Sequence, residues 1–251
     1  MKSREAPWTI DAHMTFDDES GRLWMTWGGG TVYVSEMDPS DGMLLSHPPD
    51  PEFDTHPAGT HTAVATWNGD EWTDGNDWFE GAALYKYTDE QQNRYWYFFA
   101  SYGHLAENYT IRMGRGDSPT GPFYDKEGVG LLEWDAEERE FGNSILLGAE
   151  GGADNPGHPH LWTETRNGQS ITYMGYDYVD LFDRTRIDRF GIRQIHWVNG
   201  WPTVWTPLTV SFAADEYPEL IGQPLGMSLG NVGEQNSVAA FDFINVDVES
   251  P

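Results

Sequence analysis

A unit of strand, loop, strand and turn recurs three times along this chain, and this repeat limits the choice of fold more than any other feature. In the first copy, residues 22–27 and 31–36 alternate between apolar and polar side chains around glycines 28–30, a pattern typical of a β-hairpin. Similar units begin near Arg94 and Ser170, so equivalent positions lie about 70 to 80 residues apart. Recurring four-stranded units of this kind indicate β-propeller blades and, more weakly, a sandwich.

The composition favours the same fold class. The chain has 12 Trp, 12 Tyr, 12 Phe and 28 Gly, which suits short strands joined by tight turns better than a helical bundle. The strand, loop, strand and turn pattern ends near residue 209, and a different sequence pattern follows. We therefore predict an all-β chain in which residues 1–208 form the repeat domain. Residues 209–251 would add C-terminal β strands, either the remnant of a β-sandwich module or an extra sheet.

The net charge restricts the partners. The chain carries 41 acidic and 14 basic residues, a formal charge of −27 at pH 7. Because such a field repels phosphates and anionic lipids, we expect neither nucleic acid nor a membrane as partner. An acidic surface around many aromatic residues also predicts adaptation to high salt, where ions screen the repulsion. An ordinary acidic secreted protein is the alternative.

The sequence lacks the residues for cysteine chemistry and for a membrane-spanning helix. There is no cysteine, so disulfides, a Cys nucleophile and a thiolate metal site are ruled out. There is also no run of about 18 apolar residues of the kind that spans a membrane as a helix.

Candidate functional residues occur beside a strand in each copy of the repeat. Asp11 directly precedes a predicted strand, and Glu80 lies within an apolar, aromatic run. In the third copy, His158 and His160 flank a proline. Since equivalent strands of propeller blades line the central axis, we expect Asp11, Glu80 and His158 to meet there.

Glu80 has the sequence surroundings of a general acid. Glycoside hydrolysis needs a carboxyl group of raised pKa at the leaving oxygen and a carboxylate that acts at the anomeric carbon. Burial beside Trp78 and Phe79, together with the charge of Asp11, would raise the pKa of Glu80. The same spacing also fits a structural glutamate with satisfied hydrogen bonds, so spacing alone leaves both readings open.

Five motifs, in this order, resemble glycoside hydrolase family 43, most closely its arabinanase and α-L-arabinofuranosidase group. The resemblance runs from about residue 9 to residue 206. The motifs are Ile10-Asp11-Ala12-His13, then Phe79-Glu80-Gly81, then Ser101-Tyr102-Gly103 with residues 108–115 and 118–126, then Pro156-Gly157-His158, and finally residues 191–195 with 199–202.

The resemblance implies a fold, a reaction and roles for single residues. The fold would be a five-bladed β-propeller with the active site at its axis, and the reaction would be hydrolysis with inversion. Asp11 matches the aspartate that modulates the pKa of the acid, and Glu80 matches the general acid. His158 matches the histidine that holds one calcium ion, or its water, at the axis. No organic cofactor is implied.

The general base of the family, an aspartate in the first blade, has no counterpart in this sequence. It would lie well upstream of Asp11, which only ten residues precede, and Glu5 has no strand context. We therefore expect a propeller that lacks its first blade or more, and a truncated enzyme of impaired activity. The alternative is a non-catalytic carbohydrate-binding propeller. Invertase-like fructan hydrolysis, which shares the propeller, has no sequence signature here.

The expected ligand is an arabinan or arabinoxylan oligosaccharide, bound by a monomer. Trp78 and Tyr102 are predicted to stack on sugar rings beside Glu80, and Arg193 is predicted to reach the axis beside His158. A structural salt bridge is the alternative for Arg193. Because the polymer lies outside the cell, we expect an extracellular protein.

Overall fold

The computed structural model describes residues 10–45, 61–67, 77–89, 91–135, 140–149, 153–180 and 188–204, together with two C-terminal strands. Throughout these ranges the regular structure is β-strand, and the all-β prediction is confirmed. None of the described segments forms a helix long and apolar enough to cross a membrane.

The first copy of the repeat forms an antiparallel sheet in the order β1-β2-β3-β4. Side chains alternate between the two faces of the sheet, and along most of β3 buried residues alternate with partly exposed ones. Its strands are β1 (His13–Asp17), β2 (Arg22–Trp27), β3 (Thr31–Met37) and β4 (Thr62–Thr66).

The second copy forms a sheet in the order β10-β7-β6-β5. Strand β6 is buried along nearly all of its length, because neighbours cover both of its faces. A short ribbon, β8 and β9, precedes the last strand of the sheet. The strands are β5 (Asp77–Thr88), β6 (Arg94–His104), β7 (Thr110–Gly116), β8 (Trp134–Asp135), β9 (Glu140–Phe141) and β10 (Ser144–Leu147).

The third copy forms a sheet in the order β11-β12-β13-β14. Asn199 and Gly200 connect its last two strands, and both have positive φ angles (51° and 74°), as a type I′ turn requires. The strands are β11 (Ala153–Arg166), β12 (Gln169–Asp180), β13 (Asp188–Val198) and β14 (Trp201–Thr203).

The chain forms two compact units, residues 1–193 and residues 194–251. Within the second unit, the end of β13 pairs with β14, and β15 (Leu208–Ala213) pairs in parallel with β16 (Ile244–Glu249). Residues 214–243 lie outside the described residues. The predicted domain boundary at residues 208 and 209 stays a prediction.

The core of the first unit lies between its first two sheets. Strand β5 packs between β1 and β11, so the first strands of the three sheets are neighbours. This arrangement brings residues near the beginning of these strands together. The buried core comprises Trp24, Val32, Val34, Val64 and Ala65 of the first sheet with Phe79, Ala82, Leu84, Trp96, Phe98, Ala100, Tyr102, Phe123 and Leu131 of the second copy.

Candidate active site

Two carboxyl groups from neighbouring sheets meet at the beginning of β5. Asp11 lies two residues before β1, and its Oδ2 accepts a hydrogen bond of 3.1 Å from the backbone N–H of Gly81. Gly81 directly follows Glu80 on β5, so the Asp11 carboxylate lies beside Glu80. The structure therefore brings these two residues together, as the sequence predicted.

A β-bulge aims the Glu80 side chain. The register between β5 and β6 shifts between Glu80 and Ala83, and Gly81 within this bulge has a φ of 62°. A Cβ atom at Gly81 would lie 3.2 Å from both Ser101 Oγ and His158 Cα. Only glycine suits this conformation and this close approach of β11, so the bulge places His158 next to the two carboxyl groups.

The surroundings of Glu80 favour its protonated form. Burial raises the pKa of Glu80 above its usual value, and the charge of Asp11 raises it further. The Tyr109 hydroxyl, which donates a hydrogen bond of 2.9 Å to Glu80 Oε1, and nearby His158 lower the pKa of Glu80 by less. The net direction is the one that a general acid needs.

Backbone strain collects around these residues. The backbone has positive φ angles at three of them, 54° at Asp11 and 51° at both Asn155 and His158. Residues other than glycine rarely adopt this left-handed region. Asn155 is only 5% exposed, and within the described part of the chain its amide group has no hydrogen-bond partner. Strain and unpaired polar atoms of this kind occur preferentially at functional sites.

His158 projects an exposed side chain and is anchored by its backbone, whose N–H donates a 2.7 Å hydrogen bond to Ser101 Oγ. Calcium takes six to eight oxygen ligands. Among the described residues, no group of three or more His, Asp or Glu side chains is arranged to hold a metal ion. These residues therefore do not fit a calcium site made by protein side chains alone.

A pair of histidines links the first and third sheets close to His158. His13 Nε2 and His160 Nδ1 are 2.8 Å apart and share a hydrogen bond, and the two rings meet edge to face. Burial, and then the nearby imidazoles of His160 and His158, lower the pKa of His13 to about 4. His13 is therefore neutral in the folded protein at neutral pH.

This lowered pKa predicts a loss of stability in mild acid. The unfolded chain binds a proton at His13 below pH 6.5, whereas the folded protein does so only near pH 4, so the free energy of unfolding should fall between these values. The loss would reach up to about 3 kcal/mol. Urea unfolding at several pH values checks this, with His13→Gln compared with His104→Gln. An equal loss in wild type and in His13→Gln would contradict it.

The three predicted substrate-binding residues lie in different environments. Trp78 is partly exposed and lies on the same face of β5 as Glu80, two positions away. Tyr102, by contrast, lies within β6, is 1% exposed and packs against Phe79. Its ring has no face open to a sugar, so the prediction for Tyr102 is corrected. Arg193 Nε donates a 3.3 Å hydrogen bond to the Tyr176 hydroxyl.

Sequence reasoning gave no role to Ser101, Tyr109 or His13, although all three lie inside the motifs of the family resemblance. Tyr109 directly precedes β7 and reaches Glu80 of β5 across the intervening strand β6, and the two residues are 29 positions apart in sequence. A tyrosine beside a strand inside a motif was the available signal. Its target became visible only with the strand register.

Comparisons with known proteins show which family the chain resembles. The profile of Glycosyl hydrolases family 43 matches residues 1–202. The extracellular endo-α-(1→5)-L-arabinanase 2 of Bacillus subtilis is 32% identical over 131 residues, 51% of this chain and 24% of that protein. The probable arabinan endo-1,5-α-L-arabinosidase A of Aspergillus clavatus is 28% identical over 213 residues, 78% of this chain and 54% of that protein.

Solved structures of β-propeller enzymes show the same fold. A family 43 glycoside hydrolase of Bacillus licheniformis superposes with a TM-score of 0.60 at 25% identity, over 80% of this chain and 44% of that one. The α-L-arabinanase of Cellvibrio cellulosa, complexed with arabinohexaose, gives 0.58 at 22% identity, over 81% and 59%. The chain spans about half the length of these relatives or less. Because the family profile matches most of its length, the chain belongs to Glycosyl hydrolases family 43.

Proposed function

We propose that this chain is part of a glycosidase that hydrolyses α-1,5-L-arabinofuranosyl bonds in arabinan or a related hemicellulose. The observation that carries this proposal is the meeting of Asp11 and Glu80, from two sheets, at a bulge that favours the protonated form of Glu80. The named arabinanases among the relatives support arabinan as the substrate class.

The proposed reaction is a single displacement with inversion. Glu80 gives its proton to the glycosidic oxygen as the bond from that oxygen to the anomeric carbon breaks. A water molecule bonds to the same carbon from the opposite face and gives a proton to a general base. Asp11 does not touch the reacting atoms in this scheme; burial is the main cause of the raised pKa of Glu80, and the charge of Asp11 raises it further.

The general base is assigned to no described residue. We propose that it belongs to a further blade of a five-bladed propeller, of which the three four-stranded sheets described above would be a part. On this view, the 251-residue chain by itself hydrolyses arabinan slowly or not at all, because the carboxylate that activates the water would lie in that further blade.

Trp78 and Arg193 are the proposed substrate contacts. Trp78 shares a face of β5 with Glu80, so a sugar ring stacked on its indole would lie next to the acid. A calcium ion remains a proposal as well. It would have to be held by His158 and mostly by water, since the described protein ligands are too few, and no step of the reaction depends on it.

The test is a hydrolysis assay with linear arabinan, arabinoxylan and arabino-oligosaccharides as substrates. Two proteins are compared, the 251-residue chain and a longer protein expressed from the longest open reading frame that encodes this sequence. We expect arabinose oligomers of inverted anomeric configuration from arabinan, detected by NMR immediately after mixing. Repeating the assay with a chelator tests the metal ion. Cleavage of none of these substrates by either protein would contradict the proposed function.

A non-catalytic carbohydrate-binding propeller is the second candidate, since the described residues include a candidate acid but none that is assigned as the general base. It predicts that arabino-oligosaccharides bind to both proteins in calorimetry while neither hydrolyses them. Binding with cleavage by the longer protein would reject this candidate.

We further propose that the protein is a monomer that works outside the cell in high salt. Two of the bacterial relatives are named extracellular arabinanases, and the formal charge of −27 would be screened by salt. The same assay run between low and molar sodium chloride tests the last point. Activity and stability that fall as salt is added would contradict it.

A further inference from the structure

A chain of hydrogen bonds runs from β11 to Glu80 through two buried hydroxyl groups. The backbone N–H of His158 donates to Ser101 Oγ over 2.7 Å. The Ser101 hydroxyl is hydrogen bonded to the hydroxyl of Tyr109, which in turn donates to Glu80 Oε1 over 2.9 Å. Ser101 is fully buried and Tyr109 is 5% exposed, so all links of this relay except the last lie inside the protein.

The chemistry of the groups fixes the direction of the relay. A backbone N–H can only donate, so Ser101 Oγ accepts from His158 and has its own proton left for the oxygen of Tyr109. Each hydroxyl carries one proton, and Tyr109 therefore gives its proton to Glu80. Reversing any link would leave a buried donor or acceptor without a partner, which costs free energy. Aligned bonds of this kind also strengthen each other.

Backbone encloses the relay on two sides. A Cβ atom at Gly157 would lie 2.4 Å from the Tyr109 ring and 3.2 Å from Ser101 Oγ, and one at Gly81 would also lie 3.2 Å from Ser101 Oγ. The close approach of β5 and β11 leaves the two hydroxyl groups little freedom to turn toward other partners. The relay is thus built into the packing of three strands.

The direction of the relay decides which oxygen of Glu80 can act as the acid. Because Oε1 accepts the proton of Tyr109, Oε1 is the carbonyl oxygen of the neutral carboxyl group and Oε2 carries the acidic proton. Once that proton has left, the hydrogen bond to Oε1 stabilises the carboxylate. We propose that Ser101 and Tyr109 are positioning residues, which hold Glu80 so that Oε2 faces the leaving glycosidic oxygen. This proposal rests on the function proposed above.

The catalytic test uses Tyr109→Phe, which keeps the buried ring and removes only the hydroxyl. In the form of the protein that hydrolyses arabinan, we expect kcat on arabino-oligosaccharides to fall about 10- to 100-fold with KM changed less than about threefold. On a nitrophenyl arabinoside, kcat of the same variant should fall less than about threefold, because the nitrophenolate leaving group departs without a proton. Ser101→Ala should give the same pattern more weakly, and Tyr124→Phe, at an exposed tyrosine, should behave as wild type.

A second measurement does not depend on turnover. A buried hydroxyl proton shared with a carboxyl group gives a slowly exchanging downfield NMR signal, which should be lost in Tyr109→Phe and displaced in Glu80→Gln. If neither the 251-residue chain nor the longer protein hydrolyses arabinan but the signal is present, the proposed function fails and the relay stands. Absence of the signal, or equal losses on both kinds of substrate in Tyr109→Phe, would overturn the relay whatever the activity.

Discussion

Replacing Glu80 by Gln, in the form of the protein that hydrolyses arabinan, should lower the rate of hydrolysis about 10²- to 10⁴-fold, the range that a general acid contributes. The amide has nearly the shape of the carboxyl group and can still accept the hydrogen bond from Tyr109, so the fold and the site should be preserved. What is lost is the acidic proton, whose retention burial and the charge of Asp11 favour by raising the pKa of Glu80. The rate on linear arabinan, followed by reducing ends, measures the effect.

Glu107→Gln is the matched control, because Glu107 is exposed in the turn that follows β6. It should hydrolyse arabinan at the wild-type rate. Affinity for arabino-oligosaccharides, measured by calorimetry, should change little in either variant, since a proton donor acts in the transition state and not in binding. A Glu80→Gln enzyme that keeps most of its rate would remove Glu80 from the role of the acid.

The sequence predicts the local parts of the fold well. Strand β2 has the predicted bounds, and β3 is one residue longer than predicted, because alternation and a glycine turn are local signals. The apolar run of residues 94–100, followed by Gly103, predicts a strand that ends at Ala100 and then a loop, but β6 continues to His104. Its additional residues pair with residues 77–80 of β5, and this long-range pairing overrides the Gly103 signal for a loop.

The difference between local sequence signals and long-range contacts also explains why the predicted role of Tyr102 was wrong. An aromatic residue next to a catalytic candidate is as suitable for the core as for a ligand, and only burial separates the two. In the structure, the Tyr102 ring lies against Phe79 on the neighbouring strand, and Arg112 lies over it. No spacing along the chain reveals such a contact, because the partners belong to three strands.

The site was predicted in outline. Equivalent positions in two copies of the repeat predict that Asp11 and Glu80 lie together, and their contact through Gly81 agrees with this. The bulge after Glu80 and the bond from Tyr109 were not predicted, because both depend on the register between β5, β6 and β7. Register is a property of the packed sheet, which the identity of single residues does not determine.

Gly157 shows how the reason for a glycine can be misjudged from sequence. A glycine between asparagine, proline and histidine suggests a left-handed backbone, yet here the positive φ angles belong to Asn155 and His158. Gly157 is required for space instead, since a Cβ atom would lie 2.4 Å and 2.6 Å from two carbons of the Tyr109 ring. Carbon atoms in contact stay about 3.5–4.0 Å apart, so the ring would have to move by roughly 1 Å.

Replacing Gly157 by Ala should therefore lower the free energy of unfolding by about 1–3 kcal/mol, the usual cost of overpacking. Because Tyr109 is buried and directly precedes β7, the ring cannot move without disturbing the start of the strand or breaking its bond to Glu80. Gly148→Ala is the control: its Cβ would meet only a methyl group of Thr110, at 3.8 Å, so stability should change by less than about 0.5 kcal/mol. Urea unfolding compares the two. If Gly157→Ala is as stable as Gly148→Ala, the close packing of β11 on Tyr109, and with it the relay to Glu80, is refuted.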